Sequence, residues 1–139
     1  MKKTKMFLGV FAASLLSIAG ISGASAQSIS AQFTITNSYG STIFLDSASC
    51  TSGSIFAPSS IANNNTQSFS GTTTSGSTLC TVRYHSGSFG CQFVVEATNF
   101  GTGFGNSNAY EGSGSGPHCT TQPYTPTTGN QAVPFKMTP

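Results

Sequence analysis

Between Ile29 and Thr36 the chain reads ISAQFTIT, with Ile29, Ala31, Phe33 and Ile35 alternating against Ser30, Gln32, Thr34 and Thr36. A period of two puts the apolar set on one face of a β-strand. NSYGS then reads as a turn, and STIFLD follows with Ile43 and Leu45 alternating against Thr42, Phe44 and Asp46. The two segments predict an antiparallel, two-faced pair. SIFAP, QSFSGT and LCTVRY predict further short strands. CQFVVEAT carries the clearest alternation, with Cys91, Phe93, Val95 and Ala97 facing one way and Gln92, Val94, Glu96 and Thr98 the other. VPFKM, with Val133, Phe135 and Met137 on one side, predicts a closing strand.

From Gln27 onward no window has the composition of a long helix. Ser, Thr and Gly dominate, and these residues compete with or weaken helical backbone bonding. The expected fold is all-β: a single antiparallel β-sandwich. One segment breaks the rhythm. Asn99 to Gln131 is rich in Gly, Ser and Pro, and reads as a long loop with one weak strand around Asn108 to Glu111. Loops of that length are often functional, and this one carries Phe100, Phe104, Tyr110 and Tyr124 as candidate binding aromatics.

The first 26 residues change the picture of compartment. MKKTK is basic, an uncharged apolar run follows, and ASA precedes Gln27. That order is the order of a secretory signal peptide. The predicted organisation is residues 1–26 as signal and 27–139 as one exported domain, secreted or periplasmic. In the domain Arg83 and Lys136 stand against Asp46, Glu96 and Glu111, a formal charge of −1. Nucleic-acid binding draws its affinity from Lys and Arg on phosphates, so that class of partner is not expected.

Cys50, Cys80, Cys91 and Cys119 all lie in the exported part. An even count in a small exported domain predicts two disulfides, while the spacing lacks the close ligand pairs of a zinc site. No metal or other cofactor is expected. A two-residue turn at Ser86-Gly87 places Cys80 and Cys91 as diagonal neighbours, with Cβ atoms about 7–8 Å apart. A bridge needs about 3.5–4.5 Å, so this register favours Cys50–Cys80 and Cys91–Cys119. A turn at His85-Ser86 opposes Cys80 and Cys91 directly instead. Arg83 falls on the outer face, either solvated or paired with Glu96.

The catalytic inventory is thin: His85 and His118 as bases, and Asp46, Glu96 and Glu111 as carboxylates. GNSNA, Gly105 to Ala109, misses the G-x-S-x-G elbow and has no helix-forming segment after Ser107. GTGFG lacks the spacing of a nucleotide loop. No enzyme activity is expected.

Ile35-Thr36-Asn37, Gly40 with Ile43-x-Leu45, Pro58-x-x-Ile61-Ala62, Thr66, Ser68-Phe69, Gly76 and Val82-x-Tyr84 follow one another between Phe33 and Tyr84. In this rhythm the segment resembles small β-sandwich proteins of the aegerolysin and insecticidal-crystal-protein type. The resemblance implies a non-enzymatic domain that binds membrane lipid, sometimes with a partner protein that helps permeabilise the membrane. The leading expectation is a secreted binding protein with lipid or another cell-surface ligand as target. The alternatives are a self-associating surface or fimbria-like subunit or adhesin, and a small secreted hydrolase.

Overall fold

The structure is a computed structural model that describes residues 26–111 and 118–139. The predicted signal segment, up to residue 25, lies outside the described residues. Among the described residues ten strands run in chain order: β1 (Ile29–Asn37), β2 (Ile43–Cys50), β3 (Ser54–Ile55), β4 (Ser60–Ile61), β5 (Thr66–Thr73), β6 (Ser77–Ser86), β7 (Phe89–Thr98), β8 (Phe104–Glu111), β9 (His118–Thr121) and β10 (Gln131–Thr138). They form two five-stranded sheets, β3-β5-β1-β10-β9 and β4-β2-β6-β7-β8. Among the described residues all strand pairings are antiparallel except β1 with β10, which run side by side with Phe33 opposite Val133.

The sheets pack through the alternating apolar sets. Phe33, Ile35, Ile43, Val82, Tyr84, Phe93, Val95, Val133, Phe135 and Met137 are all buried. Their rings interlock: Phe135 lies 5.0 Å from Phe93 and 5.9 Å from Phe33, and Phe33 stacks on Phe69 at 5.2 Å. Tyr84 is buried with the rest, and its hydroxyl donates to the Pro58 carbonyl at 2.7 Å.

β1 and β2 do not pair. They belong to different sheets, so NSYGS is a corner between layers, where the sequence predicts a hairpin. The corner is held by Asn37, which is fully buried. Its Nδ2 donates to the carbonyls of Ser41 (2.8 Å) and Ile61 (2.9 Å), and its Oδ1 accepts from Tyr39 N (2.9 Å). A buried amide with its bonds satisfied fixes the crossing, because leaving it unpaired is costly.

The β6–β7 hairpin also differs in register. His85 pairs with Gly90 and Tyr84 with Cys91, so the turn residues are Gly87 and Ser88, where the sequence suggests Ser86-Gly87. Gly87 has φ 60 at the first central position, as a type II′ turn demands. The shift is an even one, so every inward residue stays inward. Cys80 now lies opposite Val95, farther from Cys91. The bridges are Cys50–Cys80 and Cys91–Cys119. The first joins directly opposed residues of β2 and β6, with Cα atoms 4.0 Å apart. The second crosses between sheets, from β7 to β9. A disulfide pair of this kind fits an oxidising compartment.

The long loop is more regular than its composition predicts. β8 is an eight-residue strand that pairs with β7. Its inward positions are Gly105, Ser107 and Ala109, too small to show a hydrophobic period. Gly105 is required there, since a Cβ would lie 2.3 Å from a methyl of Val133.

Candidate functional site

One end of the sandwich gathers residues 51–53 after β2, 74–76 before β6, 99–103 before β8, and 125–130 before β10. None of these segments contains an Asp, Glu, Lys, Arg or His. Hydroxyls and backbone bonds tie them together. Ser52 Oγ donates to Ser77 O (2.6 Å), Thr78 Oγ1 to Ser52 O (2.6 Å), and Ser75 Oγ to Ser52 Oγ (2.8 Å). Asn99 N donates to Gly76 O, Gly103 N to Thr127 O, and Gly129 N to Thr98 O, at 2.7–2.8 Å. These loops are therefore held in place by their own polar network.

Phe100 projects from this frame. It is 82% exposed, while its backbone N–H donates to Thr98 Oγ1 at 3.1 Å. Gly76 (φ 86) lies beneath the ring, close enough that a Cβ there would sit 3.2 Å from Phe100 Cζ. Phe104, 39% exposed, starts β8 at the same end, on the outer face opposite Glu96.

The other two predicted aromatics lie elsewhere. Tyr110 is at the far end of β8, on the outer face of its sheet. Its hydroxyl donates to Asp46 Oδ2 (2.8 Å), and the Arg83 guanidinium lies 5.0 Å from its ring centroid. The ring crosses Gly90, where a Cβ would lie only 2.6 Å from it. Arg83 Nε also donates to Gln92 Oε1 at 2.8 Å. Arg83 is thus held by Tyr110 and Gln92, where the sequence suggested open solvent or Glu96. Tyr124 closes the open side of the sandwich: its hydroxyl accepts from Gly105 N at 2.9 Å, and its ring packs against the core.

Two exposed aromatics were not singled out in the sequence. Phe56, 90% exposed, follows β3 at the side of the sandwich, and Phe44, 50% exposed, faces His85 with ring centroids 6.4 Å apart. His85 Nδ1 is buried without a hydrogen-bond partner among the described residues. Ser107 donates to Cys119 O (3.1 Å) and shares a bond with Thr121 Oγ1 (2.9 Å), so its hydroxyl is spent on tying β8 to β9. Among the described residues no group of three or more His, Cys, Asp or Glu could hold a metal ion.

No protein-family model matches the chain, and no curated protein matches it. The fold does have solved counterparts. It is similar to the crystal structure of the lipid binding protein Nakanori, with a TM-score of 0.65 and 10% sequence identity over 90% of this chain and 77% of that one. At that identity the likeness is one of fold.

Proposed function

We propose that this is an exported, non-enzymatic protein that binds the surface of lipid membranes through its uncharged loop end. The observation that carries the reading is Phe100: a large apolar ring, 82% exposed, at the apex of loops that contain no charge and are hydrogen-bonded into place. A preordered loop loses little conformational entropy on contact. Without charges, it enters a headgroup layer with no ion to desolvate. The lipid-binding function in the name of a protein of similar fold supports the same reading, as does the basic, apolar and small-residue order of the first 26 residues.

The energetics set the mode of action. Burying a Phe side chain contributes about 1.5–3 kcal/mol. Phe100 alone therefore contributes no more than about 3 kcal/mol, which corresponds to an affinity weaker than millimolar. Stable attachment needs several copies, or a partner protein, acting together on one surface.

Co-sedimentation of the oxidised protein with vesicles of varied lipid composition tests the proposal. Wild type pellets with at least one composition, and Phe100→Ser binds that composition at least about tenfold more weakly. Failure of the wild type to pellet with any composition overturns it.

A further inference from the structure

The outer face of the β3-β5-β1-β10-β9 sheet carries a groove of about 460 Å³, in the range of ligand sites. Its floor is Gln32 of β1 beside Ala132 of β10, which are partners in the parallel register. Its walls include Pro123, Tyr124, Asn130 and Pro134. Two kinds of surface meet there. The prolines, Ala132 and the Tyr124 ring offer rigid C–H and aromatic surface, and the bonds of the Tyr124 hydroxyl to Gly105 fix that ring. Gln32 and Asn130 offer neutral amides.

The hydrogen bonding of those amides is only partly spent. Asn130 Oδ1 accepts from Ser30 N at 2.8 Å, which fixes the orientation of the amide and leaves Nδ2 without a partner among the described residues. Gln32 donates one N–H to Ser30 Oγ at 2.9 Å, and its Oε1 has no donor among the described residues. Solvent-facing donors and acceptors without protein partners therefore stand beside an apolar wall, and among the described residues no ionisable side chain besides the Tyr124 phenol lines the groove. Among these lining residues a phosphate would find no cation, and an ammonium group no anion.

We infer that this groove binds a neutral sugar. A pyranose ring has a C–H face for the apolar wall and hydroxyls that both donate and accept, which matches free amide groups of both kinds. A second depression of about 320 Å³ shares Gln32 and continues over Thr34, Ser68 and Ser70. Thr34 and Ser68 are hydrogen-bonded at 3.1 Å and form part of a hydroxyl strip. The strip extends the site for a second sugar unit. The sugar reaches the groove either as a free glycan or as the headgroup of a glycolipid. The second route is open because Thr127, at the groove rim, bonds Gly103 of the uncharged loop end. The sugar reading stands on the groove lining and does not depend on membrane binding.

The test uses the full exported domain with soluble neutral saccharides (lactose, cellobiose, maltotriose and mannobiose), followed by backbone-amide NMR. The expected result is a saturable shift at Gln32, Asn130 and Ala132 with at least one sugar. Ala132→Arg, which fills an exposed strand position on the floor, abolishes it. Gln32→Ala weakens it about tenfold, and Phe100→Ser leaves it unchanged. A parallel arm compares phosphatidylcholine vesicles with and without galactosylceramide. Enhanced pelleting on the glycolipid that Ala132→Arg removes assigns the sugar to a membrane. If Ala132→Arg does not fold, Gln32→Ala and the shift map decide. The inference is overturned if no sugar binds in either arm, if the shifts centre on another face, or if Ala132→Arg binds as wild type does.

Discussion

Replacing Gly71 with alanine adds one methyl group where β5 passes over the Cys50–Cys80 bridge of the other sheet. Gly71 lies in β5, and its missing Cβ would sit 2.4 Å from Cys80 Sγ and 2.6 Å from Cys50 Sγ. Comfortable contact needs about 3.5–4.0 Å, so the overlap is about 1 Å with each of two sulfurs. Neither sulfur can swing aside, because each is bonded to the other. Overpacking a core costs about 1–3 kcal/mol, and an obstacle pinned covalently belongs at the upper end. In the absence of a clash the change would be favourable by about 0.4–1 kcal/mol, since alanine restricts the unfolded chain. The sign itself is therefore diagnostic. At about 4 °C per kcal/mol for a domain of this size, Gly71→Ala lowers Tm by about 10 °C in the oxidised protein. Thermal unfolding followed by circular dichroism measures this. The same substitution in a Cys50→Ala/Cys80→Ala background should cost less than about 1 kcal/mol, because the sulfurs are gone. A neutral Gly71→Ala in the oxidised protein, or an equal loss in both backgrounds, refutes the packing argument.

Removing the other bridge by Cys91→Ala/Cys119→Ala opens a sequence separation of 28 and should cost about 3–4 kcal/mol in denaturant unfolding. Tyr84 supplies a pH prediction. Burial pushes its phenol well above the ordinary tyrosine range, so the folded state keeps the proton while the unfolded chain loses it above pH about 10. Stability contributed by this group is complete below that pH and falls as pH rises beyond it, and Tyr84→Phe flattens this alkaline decline. At neutral pH Tyr84→Phe also forfeits the bond to Pro58 O, a loss of about 1 kcal/mol. Because the proposed contact surface is uncharged, vesicle binding should barely change between low and high salt, and Arg83→Ala should leave it unaltered while lowering stability by about 0.5–1 kcal/mol.

The sequence makes the core faces legible, because apolar side chains at every second position leave one solution for Phe33, Phe93 and Phe135. Parity also survives an error of register: the hairpin turn lies one residue later than expected, yet Cys80, Val82 and Tyr84 still face inward. Layer assignment was less visible. Nothing in the alternation of β1 and β2 says whether the intervening turn returns within a sheet or crosses between sheets. That choice rests on three hydrogen bonds of Asn37. β8 was obscured for a different reason. Its inner face is Gly105, Ser107 and Ala109, and the space they leave is filled by neighbours such as Val133, so the hydrophobic signal sits on the partner strand. At the proposed membrane surface the legible feature was an absence: four turn segments without a charge, which strand parity alone brings to no common end. The sugar groove, built from β1, β10 and the preceding segment, required the parallel pairing of the terminal strands, which no local pattern encodes.

The chain contains no tryptophan, so Phe100→Trp introduces a single fluorescent reporter at the apex of the proposed contact surface. On addition of vesicles that the wild type pellets with, its emission should shift to the blue and be quenched by brominated acyl chains. The control Phe56→Trp, at a position 90% exposed on the side of the sandwich, should show neither. Vesicle binding by Phe100→Trp with its indole still emitting as in water, or with the Phe56 position responding in its place, would contradict the claim that this protein meets membranes through its uncharged loop end.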